Sequence, residues 1–413
     1  MMRIIKIAAF LLMVFAAVAI QAQSISKKKV KKHIKTLSSD KYLGRGVGEE
    51  GERLAAEYIA KQFKSLKLKP MGDSGTYFHH FSFKFKVNPH SEDGAVEKNG
   101  KNVVAFLDNG AANTIIIGAH YDHLGMGHVG SSRDANPEGK IHNGADDNAS
   151  GTAGVIELAR YFAKNKTKEN CNFMFICFSA EEQGLVGSKK FTEYGSFNAA
   201  TTQCMINMDM IGRLNDSTKK IMVYGVGTSP VWGNMVQTLK PNTLAIGIDS
   251  SGTGPTDHTS FYLKDVPVLS FFTGQHKQYH TPEDDAHLIN YDGTVEVLRY
   301  IASICDNVAA MPKPEFTKTK NSDNENRVSF KVTLGIMPDY VFEGPGVKVD
   351  GVTAGKPADK AGVKAGDILL FLGGVELKGM KEYMNALSQH KKGDKTTLKV
   401  HRGAAVLEFE VEF

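Results

Sequence analysis

Histidines and carboxylates recur just past the apolar runs of this sequence, in a set that can hold cations and move a proton. His120 follows the run 114–119, and Asp146 and Asp147 lie in the loop Asn143-Gly-Ala-Asp-Asp-Asn-Ala-Ser-Gly151. Glu181 and Glu182 follow the run 173–180, Asp209 ends 204–208, and His280 comes shortly after 268–272. Singly, each has an ordinary structural explanation. A histidine at a strand end is commonly a hydrogen-bonded structural residue, and an aspartate before a helix is commonly an N-cap. Two successive glutamates after a buried strand are harder to explain that way, because paired carboxylates cost free energy unless a cation or an acid–base task accounts for them. Taken together, the imidazoles and carboxylates fit a two-cation site. Zinc accepts such ligands at about 2.0–2.2 Å and keeps a position open for water in catalytic sites. Two metals about 3.5–4 Å apart can share a carboxylate and a water. A surplus carboxylate is then free to take that water's proton. Zinc is the expected metal, though cobalt or manganese suits the same ligands.

Such a site needs a scaffold that brings strand ends together. Short apolar runs at 103–107, 115–119, 173–179, 205–208, 221–224 and 268–272 read as strands apolar on both faces. Glu49 to Leu66, whose apolar residues recur at three-and-four spacing, reads as an amphipathic helix, and helical stretches flank several of the runs, notably Thr152 to Phe162 and Thr294 to Ala309. Buried strands alternating with helices predict a three-layer α/β/α sandwich around a mostly parallel mixed sheet. In open sheets of this kind the strands' carboxyl ends form the site.

The chain has 413 residues, which favours two domains. The polar segment 312–326, with two prolines and no apolar period, reads as a linker. After it come short strands, many glycines and one helix from Lys381 to His390, a small β-rich domain over 327–413. At the other end, Arg3, Lys6 and the apolar run Ile7 to Ile20 read as a signal peptide over 1–22, cleaved near Ala22. The run is shorter than the ~20 residues that a spanning helix needs, so no membrane anchor is expected after cleavage. The mature protein is expected to be exported, to the periplasm or beyond the cell.

The formal charge is +5, of which Arg3 and Lys6 supply two. Lys27 to Lys32 is basic but has no interleaved aromatic residues, so it reads as a solvated N-terminal arm and not a nucleic-acid surface. Four cysteines, at 171, 177, 204 and 305, are too few for a disulfide scaffold and are expected to be free core residues. No Gly-x-Ser-x-Gly string occurs, which speaks against a serine hydrolase; the lack of any His-Glu pair excludes a His-Glu-x-x-His protease, and no phosphate-binding Gly-x-x-x-x-Gly-Lys string occurs.

From about Leu37 to Met311 the chain resembles metallopeptidase family twenty-eight, the co-catalytic zinc aminopeptidases. The strings that carry the resemblance are Gly44-Arg-Gly-Val-Gly, Gly118-Ala-His-Tyr-Asp-His, the Asn143 loop, Ser179-Ala-Glu-Glu-Gln-Gly, Asn207-Met-Asp-Met-Ile-Gly and Tyr279-His-Thr-Pro-Glu-Asp, in matching order. The resemblance implies a peptidase domain over 23–311 that binds two zinc ions and removes N-terminal residues from peptides with a free amino terminus. In the bridging-water mechanism it implies, Asp146 bridges the metals, Glu182 and His280 complete one site, and His120 and Asp209 complete the other. Glu181 is the general base, Asp122 fixes the His120 tautomer, and the Asp146–Asp147 peptide is cis. Asp257-His-Thr-Ser-Phe261 resembles a family string near the cleft, where Asp257, His258 and Tyr279 are tentative substrate contacts; His258 either touches substrate or packs in its loop. His128 and His142, in the glycine-rich loop 124–142, are expected at the surface. A glutaminyl cyclase on the same fold, which uses one zinc, is the rival enzyme, and the complete two-metal ligand set speaks against it.

The C-terminal part, from about Val328, resembles a bacterial PDZ domain through Leu334-Gly-Ile-Met, Lys356-Pro-Ala-Asp-Lys-Ala-Gly-Val-Lys-Ala-Gly-Asp-Ile-Leu and a closing strand at 397–400. The resemblance implies that Leu334, Gly335 and Ile336 receive a peptide C-terminus, with the peptide adding as a strand.

Overall fold

The computed structural model describes residues 24–85, 96–128, 131–319, 332–338, 342, 344–352 and 355–413. The expected signal peptide at 1–22 lies outside these residues.

The peptidase-like part is built on a nine-stranded sheet: β1 (Lys69–Pro70), β2 (Phe78–Phe85), β3 (Val96–Leu107), β4 (Thr114–His120), β5 (Asn172–Phe178), β6 (Thr202–Met208), β7 (Lys220–Tyr224), β8 (Ala245–Ile248) and β9 (Val268–Phe272). The order is β1-β3-β5-β4-β6-β9-β7-β8, with β2 paired to β3. The central strands β5, β4, β6 and β9 run parallel, while β1, β2, β3 and the β7–β9 pair are antiparallel. Parallel central strands place four carboxyl ends on one edge, and the site residues of the sequence stand there.

Alternation along the strands shows why both faces are covered. Ile115, Ile117, Phe173, Phe175, Cys204 and Ile206 point into one apolar cluster, whereas Ile116, Met174, Ile176 and Met205 point into another. Helices α1 (Lys27–Leu37), α2 (Glu50–Ser65), α3 (Ala149–Lys164) and α7 (Tyr291–Ala309) contribute to the first cluster. The second is closed by α4 (Val186–Phe191) and α6 (His258–Tyr262); α5 (Trp232–Thr238) adds Trp232 and Val236 to the first. The three-layer expectation therefore holds, and the four cysteines are free and buried.

Two readings change. Lys27 to Lys32 is no solvated arm but the start of α1, capped by Ser26, with Val30, His33, Ile34 and Leu37 buried. The period of those four residues carries the helix although lysines fill its first turn. Strands β2 and β8 had no apolar run to announce them: β2 alternates Phe and polar residues at the sheet margin, and β8 is largely exposed.

The C-terminal part has its own antiparallel sheet, β10 (Ile336–Pro338), β11 (Val347–Val352), β12 (Ile368–Leu372), β13 (Val375–Glu376), β14 (Lys395–Arg402) and β15 (Ala405–Glu412), with α8 (Pro357–Ala361) and α9 (Met380–Ser388). Leu334, Val347, Val349, Leu369, Leu372, Leu398, Val400 and Val411 form its core. The expected closing strand is the centre of β14, and β15 follows it to end the sheet. Within the expected linker, residues up to 319 lie against the first domain: Thr317 donates its amide to the Thr228 carbonyl (2.8 Å), and the Phe316 ring lies tilted against Tyr262 with centroids 5.5 Å apart. Residues 320–326 are outside the described residues. No described helix is long and apolar enough to cross a membrane.

Candidate two-cation active site

His120 is the last residue of β4, Asp209 follows β6 by one residue, Glu181 and Glu182 stand in the turn after β5, and His280 lies in the loop after β9. The two imidazoles are fixed in the same way. His280 donates from Nδ1 to the Ser131 carbonyl (3.0 Å), and His120 Nδ1 lies 3.2 Å from the Asp122 carbonyl. Each ring therefore turns Nε2 inward. Such outer contacts set ring orientation and tautomer in metal sites.

Asp147 stands between the two rings. Its Oδ1 is 3.4 Å from His120 Nε2 and its Oδ2 is 3.1 Å from His280 Nε2. Asp209 Oδ1 is 3.4 Å from His120 Nε2, and Glu182 Oε2 is 3.2 Å from His280 Nε2. Two donor groups result, His120–Asp147–Asp209 and His123–Asp147–Glu182, each compact enough for one cation and both using Asp147. Buried Asp209 Oδ1 has no hydrogen-bond partner. Unpaired buried polar atoms are costly, so a donor set of this kind fits cations.

Asp146, expected as the shared ligand, belongs to neither donor group. Its Oδ1 accepts the Gly212 amide at 2.6 Å, and its Oδ2 faces His276 Nε2 at 3.4 Å, away from His120 and His280. The cis bond is likewise one residue later, at Asp147–Asn148. Two adjacent aspartates in a loop are indistinguishable by type; what separates them is the Gly212 amide, which captures the Asp146 carboxylate, while the Asp284 carboxylate accepts both the Asp146 and Asp147 amides (2.9 and 3.0 Å). Gly144 lets the loop close: its φ is +53°, and a Cβ there would fall 2.1 Å from the Asp147 carbonyl oxygen. Asn148 then caps α3 through the Gly151 amide (2.9 Å) and donates to the Met208 carbonyl (3.0 Å), tying the loop to the strand that carries Asp209.

Asp122 meets His120 through its carbonyl; its carboxylate is 3.7 Å from His120 Nδ1 and instead accepts the Glu181 (3.1 Å) and Glu182 (3.3 Å) amides. It orients the glutamate turn more directly than it orients the imidazole. His123 was given no role by the sequence, although it ends the string that contains His120. Its Nδ1 lies 2.9 Å from Glu182 Oε1, and its ring meets His280 edge to face. Nothing in its spacing distinguished it from the Asp122 loop. Three non-glycine site residues adopt left-handed backbone: Ala180 (φ +55°), Met210 (φ +49°) and His280 itself (φ +57°). Such conformations cost of order 1–3 kcal/mol each and persist where surrounding structure imposes them.

The electrostatics divide the two glutamates. Burial pushes the Glu181 carboxyl well above its usual range; His120 opposes this, and Asp257, Glu182 and Asp209 add to it. Burial works the same way on Glu182, but His280 and His123 outweigh it and bring the group to about 2. Adjacent carboxylates with proton affinities driven apart suit one ligand and one acid–base group. Burial alone would lower His120 and His280, yet Asp209 and Glu181 raise the first and Glu182 and Asp147 raise the second.

A cavity opens on this cluster, lined by Met210, Tyr224, Phe272 and Tyr279 besides the ligating residues. Of the tentative substrate contacts, Tyr279 lines it and stacks on His280 with ring centroids 3.9 Å apart. His258 borders the cavity but is fully buried and held near 3 by burial, while Asp257 is buried behind it and pushed to about 7 by burial. His142, expected outside, is buried and lies 2.8 Å from the Ser132 hydroxyl; His128 is partly exposed and pairs with Glu49. In the C-terminal part, Leu334 is buried and Gly335 has φ +75°, at the start of β10.

Residues 102–305 match the model of peptidase family M28, and residues 316–413 match that of the PDZ domain. The chain joins an M28 peptidase domain to a PDZ domain. It is 22% identical over 302 residues to a probable leucine aminopeptidase of Arthroderma otae, covering 70% of this chain and 74% of that one. Among solved structures, the LapA aminopeptidase of Legionella pneumophila superposes with a TM-score of 0.54 at 19% identity, over 70% of this chain and 72% of that one. The glutaminyl cyclase of Porphyromonas gingivalis gives the same TM-score, 0.54, at 16% identity over 69% and 99%. The fold is thus shared by both enzyme classes, and the M28 peptidase domain's own side chains must choose between them.

Proposed function

We propose that this M28 peptidase is an exported, zinc-dependent aminopeptidase that holds two zinc ions and releases N-terminal residues from peptides with a free amino terminus. The observation that carries the reading is the Asp147 carboxylate, one oxygen toward His120 and Asp209 and the other toward His280 and Glu182. His120, Asp209 and Asp147 would hold one ion, and Glu182, His280 and Asp147 the other, with His123 against Glu182. Two bound zinc ions supply Lewis acidity and lower the proton affinity of water at the site. Glu181, whose Oε2 is 4.0 Å from His120 Nε2, takes the proton of the attacking water and returns it to the leaving amine. The apolar cavity wall of Met210, Tyr224 and Phe272 favours an uncharged, apolar first side chain. The PDZ domain would take a peptide C-terminus at Leu334-Gly335-Ile336, recruiting substrates without taking part in the chemistry.

The test is a peptide mixture containing free, N-acetylated and N-terminal glutamine peptides, incubated with the full mature chain and read by mass spectrometry. Stepwise loss of first residues from unblocked peptides alone, stopped by chelator and restored by zinc, is expected. Loss of ammonia from glutamine peptides without trimming would replace this reading by a cyclase.

A further inference from the structure

Arg45 carries a fully buried guanidinium whose hydrogen bonds all go to backbone carbonyls. Nε donates to the Tyr121 carbonyl (2.7 Å), Nη1 to those of Leu37 (2.7 Å) and Asn143 (2.7 Å), and Nη2 to that of Gly144 (2.9 Å). Tyr121 directly follows His120, and Gly144 stands three residues before Asp147. One rigid fork therefore joins the exit of β4 to the loop of the shared carboxylate, anchored on the end of α1. Burying a guanidinium is costly, and only its planar, multi-donor geometry can satisfy four carbonyls from three segments. Asp284 supplies the complementary grip: its Oδ2 accepts the Asp146 and Asp147 amides, and its carbonyl accepts the Ala145 amide (2.8 Å). The loop 143–147 is held by its carbonyls from one side and by its amides from the other.

We propose that Arg45 is the positioning residue of the two-cation site, setting the distance between His120 and Asp147 before metal arrives. This rests on the two-zinc reading above. It makes the site preorganised: the carboxylate that both ions share is placed by protein contacts, and the ions do not have to order it.

Two measurements on the full chain test it. In metal-free wild type, hydrogen exchange should show the 145–147 amides protected, and zinc should add little. In Arg45→Lys, compared as folded protein by circular dichroism, that protection should fall and zinc affinity in a chelator competition should weaken about 10–100-fold. Turnover at saturating zinc should drop with KM changed much less than kcat. A purely structural role would lower the melting temperature while leaving zinc affinity and loop exchange as in wild type, and that result overturns the proposal. Loop amides that exchange freely until zinc is added also overturn it, and this reading needs no variant. If wild type binds fewer than two zinc ions, the two-zinc reading fails on its own count, whatever the exchange data show.

Discussion

The two domains bury different things. Around its site the peptidase domain buries Arg45, Glu52, His120, Asp122, His123, Asp146, Asp147 and Asp284, whereas Asp367 is the charged side chain buried among the described residues of the PDZ domain. Asp367 is answered directly by Arg402, at 2.6 and 2.7 Å. In the peptidase domain, by contrast, carboxylates face imidazoles at 2.9–3.4 Å and several oxygens have no partner. Uncompensated buried charge is unfavourable for folding. Its concentration at one sheet edge marks that edge as a place for chemistry, and its scarcity in the PDZ domain marks a body held by apolar packing.

The largest effect expected from breaking this contrast is at Asp147. Asp147→Asn should lose zinc and turnover by several orders of magnitude, measured by metal analysis and peptide release. Asp146→Asn, one residue away, should cost only about 10–100-fold in metal affinity, because Asp146 acts through the Gly212 amide. Equal losses in the two variants would undo the assignment of Asp147 as the shared ligand. Truncation after residue 319 sharpens the comparison from the other side. It should leave kcat on a tripeptide near wild type while removing binding of peptides through their C-termini, read by calorimetry.

The smallest effect concerns Asp367 itself. Burial works to raise this carboxyl, but Arg402 holds it below its ordinary value. A depressed folded-state value contributes stability above the unfolded value of about 3.9, and that contribution is lost as pH falls through the folded value. Hydrogen exchange of β14 and β15 in Arg402→Met should therefore be faster than wild type at pH 6, with the difference shrinking as the pH falls below about 4. A difference unchanged across that range would show the pair to be silent.

Much of this was legible from residue types. Buried parallel strands announce themselves as continuous apolar runs, so β4, β5, β6 and β9 and the groups at their ends could be read directly. The choice between Asp146 and Asp147 could not, since it depends on which carboxylate the Gly212 amide captures, a contact across 66 positions. His123 and Arg45 were hidden differently. Both sat inside strings already singled out, but their roles lie in distances to Glu182 and to four carbonyls that no spacing rule encodes. Strand β2 was missed because a margin strand needs only one buried face. Helix α1 reads as an arm in the sequence because its charges outweigh its period.

The most direct test of the account is Glu181→Gln. The carboxamide keeps the shape and cannot take a proton, so the variant should retain two zinc ions per chain by metal analysis and lose peptide release by several orders of magnitude. Turnover near wild type with both ions bound would contradict the assignment of Glu181 as the group that activates water.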